Sequence, residues 1–108
     1  MKRISVLLLL AVSAAVTAAA QAAISDADAA KLMAKYNCQA CHTVAQKLVG
    51  PAFKDVATKY AGDSSAAEKL QGKVKNGSTG TWGPIPMPPN NVAPADLSAL
   101  VGWILSLK

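Results

Sequence analysis

The chain has 108 residues, a formal net charge of +5, two cysteines and a single histidine. That length holds one domain. Its lysines are scattered, and it lacks internal repeats, a glycine-rich phosphate loop and any nucleic-acid module, so nucleotide-binding and nucleic-acid-reading classes are excluded.

Met1-Lys2-Arg3 is a positive start, Ile4 to about Val12 is an apolar run, and Ala20-Gln21-Ala22 offers small residues for cleavage. This is the pattern of a secretory signal peptide cut after Ala22. The alternative is an uncleaved anchor, since Ile4 to Ala23 nearly suffices to span a bilayer. Alanine and threonine in place of leucine in its second half favour export. Residues 23–108 then form the working domain, with no membrane span, and losing Lys2 and Arg3 lowers the charge to +3. With one Phe, two Tyr and two Trp, that domain builds only a thin core. Domains this small often lean on a disulfide, a metal or a cofactor.

Ser25 precedes Asp26 and Asp28 as an N-cap before acidic first-turn residues, which predicts a helix from about Asp26 to Asn37, with Leu32 and Tyr36 on one face. Residues 43–50 read as a loop. Pro51 opens a second helix through Phe53, Val56, Ala57 and Tyr60, ended by Gly62. A third runs from Ser64 or Ser65 to Lys75, with Ala67, Leu70 and Val74 inward and Asn76-Gly77 as its stop. Residues 76–92, NGSTGTWGPIPMPPNNV, hold three glycines and four prolines, so they form a long loop on a stiffened course. The last helix starts near Pro94 with Leu97, Leu100, Val101 and Ile104 in one stripe, widened by Trp103 and Leu107. No segment alternates as a strand, and the fold class is all-α.

Both cysteines and the histidine fall in Cys38-Gln39-Ala40-Cys41-His42. A structural zinc site needs four ligands, and only three Cys or His exist here. A redox C-x-x-C pair normally opens a helix after a strand, in a βαβ setting that is missing, and leaves His42 unexplained. A c-type haem attachment site explains all three residues. Cys38 and Cys41, three apart on a helical turn, send their sulfurs to one side toward two vinyl groups, and His42 turns its imidazole toward the iron. For the opposite face, Met33 lies too close along the chain and reads as a packing residue of the first helix. Met87 is 45 residues beyond His42 and is framed by Pro84, Pro86, Pro88 and Pro89. Its thioether is the expected second axial ligand, which favours Fe(II); the plainer reading is an apolar loop residue.

The stretches CQACH, VGPAFKDVATKYAG, NGSTGTWGPIPMPPN and WILSLK resemble the small bacterial class I cytochromes c, of the monohaem 551/552 subgroup. The resemblance covers essentially the whole of residues 23–108. It implies about four helices around one covalently bound haem c, held by Cys38 and Cys41 with His42 and Met87 as axial ligands. It further implies that the Pro51 carbonyl accepts a hydrogen bond from His42, that Trp82 bonds a haem propionate, and that Asn90 lies beside the Met87 sulfur. Plain packing by Trp82, helix initiation by Pro51 and a turn at Asn90 are the competing readings. Two positions depart from the family: Lys73 stands where relatives often carry arginine near a propionate, and Ala93-Pro94 replaces the usual Ser-Asp helix start.

An iron closed on both faces leaves one-electron transfer as its chemistry. The expected role is a monomeric periplasmic electron carrier, not an enzyme, docking through its haem edge. Lys35, Lys47, Lys54 and Lys73 either steer acidic partners to that edge or simply solubilise the surface. The resemblance implies a membrane quinol-oxidising complex upstream and a terminal oxidase, nitrite reductase or peroxidase downstream.

Overall fold

A computed structural model of the chain describes residues 11–13 and 23–108. The expected signal peptide over residues 1–22, with its cleavage point after Ala22, lies outside these apart from residues 11–13.

Among the described residues four helices follow one another: α1 (Asp26–Lys35), α2 (Phe53–Lys59), α3 (Ala66–Asn76) and α4 (Pro94–Leu105), with a 3₁₀ turn at Cys38–Ala40. Among the described residues there are no strands, only two isolated bridges, His42 with Lys47 and Ser78 with Met87. No helix there is long and apolar enough to cross a membrane.

Ser25 caps α1 as expected, its Oγ accepting from the Asp28 N–H at 3.1 Å. The helix stops two residues earlier than its pattern suggested, at Lys35. Asn37 adopts the left-handed conformation at φ 58°, a backbone state that asparagine tolerates better than most residues and that terminates helices. Ala29 and Met33 form the buried face, with Leu32 and Tyr36 packed at its margin. Met33 is therefore the core residue it was read to be. Helix α2 begins at Phe53 rather than Pro51, and Phe53, Val56, Ala57 and Tyr60 are buried as expected. On α3 the inward residue is Ala66, not Ala67, with Leu70 buried and Val74 at the margin.

Helix α4 is the hub. The other three helices each pack against it and not against one another. Leu97, Leu100, Val101, Trp103 and Ile104 are all buried. Trp103 Nε1 donates to Asp26 Oδ1 at 2.9 Å, fixing α4 to the first turn of α1 and satisfying the indole N–H. Ala93 supplies no side-chain cap to α4. In its place the Tyr36 hydroxyl accepts from the Ala93 N–H at 3.4 Å and donates to Asp96 Oδ2 at 2.5 Å.

Candidate haem site

The turn at Cys38–Ala40 is closed by the Cys41 and His42 N–H groups, both donating to the Cys38 carbonyl. Cys38 and Cys41 are partly buried, and no disulfide joins them. Burial pushes the Cys38 thiol above its ordinary value, the reverse of what a reactive redox thiol needs. Among the described residues there is no group of three or more Cys, His, Asp or Glu placed to hold a metal ion.

The segment after His42 folds back on it. The Gly50 N–H donates to the Cys41 carbonyl at 2.7 Å, and the Phe53 and Lys54 N–H groups donate to Thr43 and Val44. This return brings Pro51 under the imidazole, and His42 Nδ1 lies 2.8 Å from the Pro51 carbonyl. A carbonyl only accepts, so Nδ1 carries the proton and the Nε2 lone pair is left for a metal. That engagement accounts for α2 starting beyond Pro51. The ring stacks on Phe53 with centroids 4.9 Å apart, and Phe53 meets Trp103 edge-on at 6.1 Å. A line of contacts thus runs from α1 through Trp103 and Phe53 to His42. Gly50 completes the seat: a Cβ there would stand 2.5 Å from His42 Cε1.

Beside the imidazole opens a cavity of about 1070 Å³, its solvent-open mouth included. Cys41, His42, Pro51, Trp82 and Met87 line it, with Phe53, Leu70, Val101 and Ile104 as apolar wall. Cys38 packs at the margin of the core instead. Met87 is set by backbone pairing, its N–H donating to the Ser78 carbonyl at 2.8 Å while the Ser78 N–H donates to the Met87 carbonyl at 3.0 Å. Trp82 stands at the mouth, 39% exposed, with the Lys59 ammonium 5.5 Å from its ring centroid. Asn90 Nδ2 donates to the Pro88 carbonyl at 2.8 Å, and its N–H donates to the Val74 carbonyl; Asn90 is not part of the cavity wall.

The lysines divide. Lys47 and Lys73 line the cavity, whereas Lys54 does not and Lys35 is bound to Asp96 at 3.2 Å. Lys73 Nζ donates to Thr81 Oγ1 at 3.0 Å. Sequence reasoning missed Lys59, Gly50 as a seat for the ring, and the apolar rim of Val49 and Ile85 beside Trp82. Exposed apolar side chains in the VGP and GPIP stretches were the available signal for the rim.

An apolar cavity lined by an oriented imidazole, a thioether and the Cys41 sulfur, with Cys38 at the adjoining core margin, fits a haem attached through C-x-x-C-H. The Cytochrome c family model matches residues 20–108. The chain belongs to the cytochrome c family. It is 60% identical over 85 residues to cytochrome c-552 of Nitrosomonas europaea, covering 78% of this chain and 80% of that protein. It is 47% identical over 100 residues to cytochrome c-551 of Pseudomonas aeruginosa, covering 93% and 95%. The crystal structure of wild-type Nitrosomonas europaea cytochrome c552 superposes with a TM-score of 0.70 at 60% identity, over 73% of this chain and 99% of that one. The fold is the class I cytochrome c fold, and the cofactor of this cytochrome is one covalently attached haem c. It is a monohaem electron carrier.

Proposed function

We propose that this cytochrome is a periplasmic one-electron carrier whose haem is tethered by Cys38 and Cys41 and whose iron is held by His42 Nε2 and the Met87 thioether. The observation that carries the reading is that His42 and Met87 line one cavity, with the proton of His42 fixed on Nδ1 by the Pro51 carbonyl. Haem bound there supplies a reversible one-electron change between Fe(II) and Fe(III). Pro51 and Phe53 orient the imidazole, and Ser78 holds the backbone of Met87. Apolar walls keep water from the cavity, which together with the thioether favours the reduced form. Trp82, exposed at the mouth, would offer its indole N–H to a haem propionate. Asn90, bound to the Pro88 carbonyl, steadies the turn that presents the sulfur.

Two protein ligands leave no position for a substrate, so the cytochrome is not an enzyme. Docking uses the rim of the cavity, where Val49, Trp82 and Ile85 are exposed beside Lys47. The partners are a membrane quinol-oxidising complex upstream and a terminal oxidase, nitrite reductase or peroxidase downstream, met by a monomer. The leader features of residues 1–22 support export to the periplasm.

Met87→Ala tests the ligation. The variant is expected to show a lower reduction potential than the parent and, once reduced, to take up carbon monoxide that the parent refuses. An unchanged potential discards Met87 as ligand, and rapid, complete carbon monoxide binding by the parent replaces the carrier with a ligand-binding sensor or enzyme.

A further inference from the structure

Gly77 ends α3, and Ser78 directly after it makes the two-way backbone pairing with Met87. Its φ is +83°, a conformation that glycine adopts without penalty. Space is a second constraint. A Cβ on Gly77 would lie 2.8 Å from the Met87 carbonyl oxygen, 3.1 Å from Pro89 Cδ and 3.2 Å from Pro89 N. These neighbours are main chain and a proline ring, and neither can swing aside as a flexible side chain would. The same strand of loop is tied again at Asn90, whose N–H donates to Val74 of α3. The end of α3 and the segment 87–90 therefore touch backbone to backbone, and only a residue without a side chain permits it.

From this contact we infer that Gly77 is a positioning residue for Met87: its missing side chain lets the thioether segment seat against the end of α3 and sets how far Met87 projects into the cavity. The inference rests on Met87 as axial ligand for its redox consequence, though not for its geometry. It assigns Gly77 a role apart from stopping a helix. A stop requires only the left-handed backbone, which Gly62 also has after α2, at φ +76°, with nothing within 4 Å of a Cβ.

Gly62 is thus the internal control. Gly77→Ala, Gly62→Ala and Met87→Ala are prepared as the haem-loaded protein, and three properties are compared: reduction potential, carbon monoxide uptake by the reduced form, and amide hydrogen exchange at Ser78 and Met87. Gly62→Ala is expected to lose stability with potential and carbon monoxide refusal intact. Gly77→Ala is expected to lower the potential, admit carbon monoxide, and speed exchange at the Ser78 and Met87 amides by about tenfold beyond any loss of global stability. Exchange at those amides no faster than in Gly62→Ala overturns the positioning role. A Met87→Ala variant with unaltered potential would instead sink the ligation reading, and amide exchange would still decide whether Gly77 seats the segment. If Gly77→Ala does not fold with haem, Pro89→Ala replaces it: removing the ring whose Cδ would lie 3.1 Å from the added Cβ loosens the same contact from the facing side. Ser78 and Met87 amides that exchange no faster than in Gly62→Ala then overturn the inference.

Discussion

Gly50 leaves no room for a methyl group, because His42 Cε1, Nδ1 and Nε2 would all lie within about 3 Å of it. The ring cannot retreat without breaking its hydrogen bond to Pro51 or its stack on Phe53. Gly50→Ala is therefore expected to destabilise the protein by about 1–3 kcal/mol, the range of core overpacking, read from denaturant unfolding. A midpoint unmoved from the parent's would show that the imidazole has slack. That Cys41, His42 and Met87 meet at one cavity was legible in the sequence, because their types and spacing have few other uses. Gly50 and Gly77 were not legible as seats: a glycine in a string records permission for close approach but not which atom approaches.

Among elements, the helices themselves were legible and their margins less so. Ala66 and Ala67 are equal as letters, and only the docking of α3 on α4 selects Ala66. The start of α2 could not be placed because Pro51 serves His42 rather than the helix. The start of α4 at Pro94 was legible, but not the substitute cap from Tyr36, which bonds Asp96 from 60 residues away. Polar anchors of this kind make acid sensitivity an element-level property. Asp63, in the turn before α3, accepts from Lys69 Nζ at 2.8 Å and from the Ser65 hydroxyl and N–H. Lys69 first, then Ser65, draw its carboxyl from the ordinary 3.8 down to about 2. Asp96 is lowered in the same direction by Tyr36 and then Lys35. A carboxyl lowered in the fold is protonated first in the unfolded chain, so its stabilisation is present above the ordinary value and fades as pH falls toward the folded one. Unfolding midpoints measured from about pH 5 downward are expected to fall between pH 3.8 and about 2, and Asp63→Asn to shallow that fall. Parallel curves for parent and variant would remove Asp63 from the account.

At the scale of the molecule, residues 23–108 carry +3, and Lys47 lines the cavity whose rim carries the exposed Val49, Trp82 and Ile85. Charges beyond about 10 Å are screened at 0.1 M salt. Electron exchange with an acidic redox reagent is therefore expected to slow as salt rises, and exchange with a neutral reagent to stay level. Equal salt dependence for both would show that the rim exerts no steering field. The all-α class and the need for a cofactor followed from few aromatics and no strand pattern; the radial plan did not, because periodicity says which face is apolar and not what it meets. That plan has a temporal side. With α1, α2 and α3 each packing on α4 and not on one another, a chain emerging from its N-terminus has no pair of α-helices to form until α4 arrives. Nucleation waits on contacts of long sequence separation, which is slow for a helical protein. The segment from Cys38 to His42 shares that dependence, since the imidazole leans on Phe53 and Phe53 leans on Trp103 of the last helix to be made.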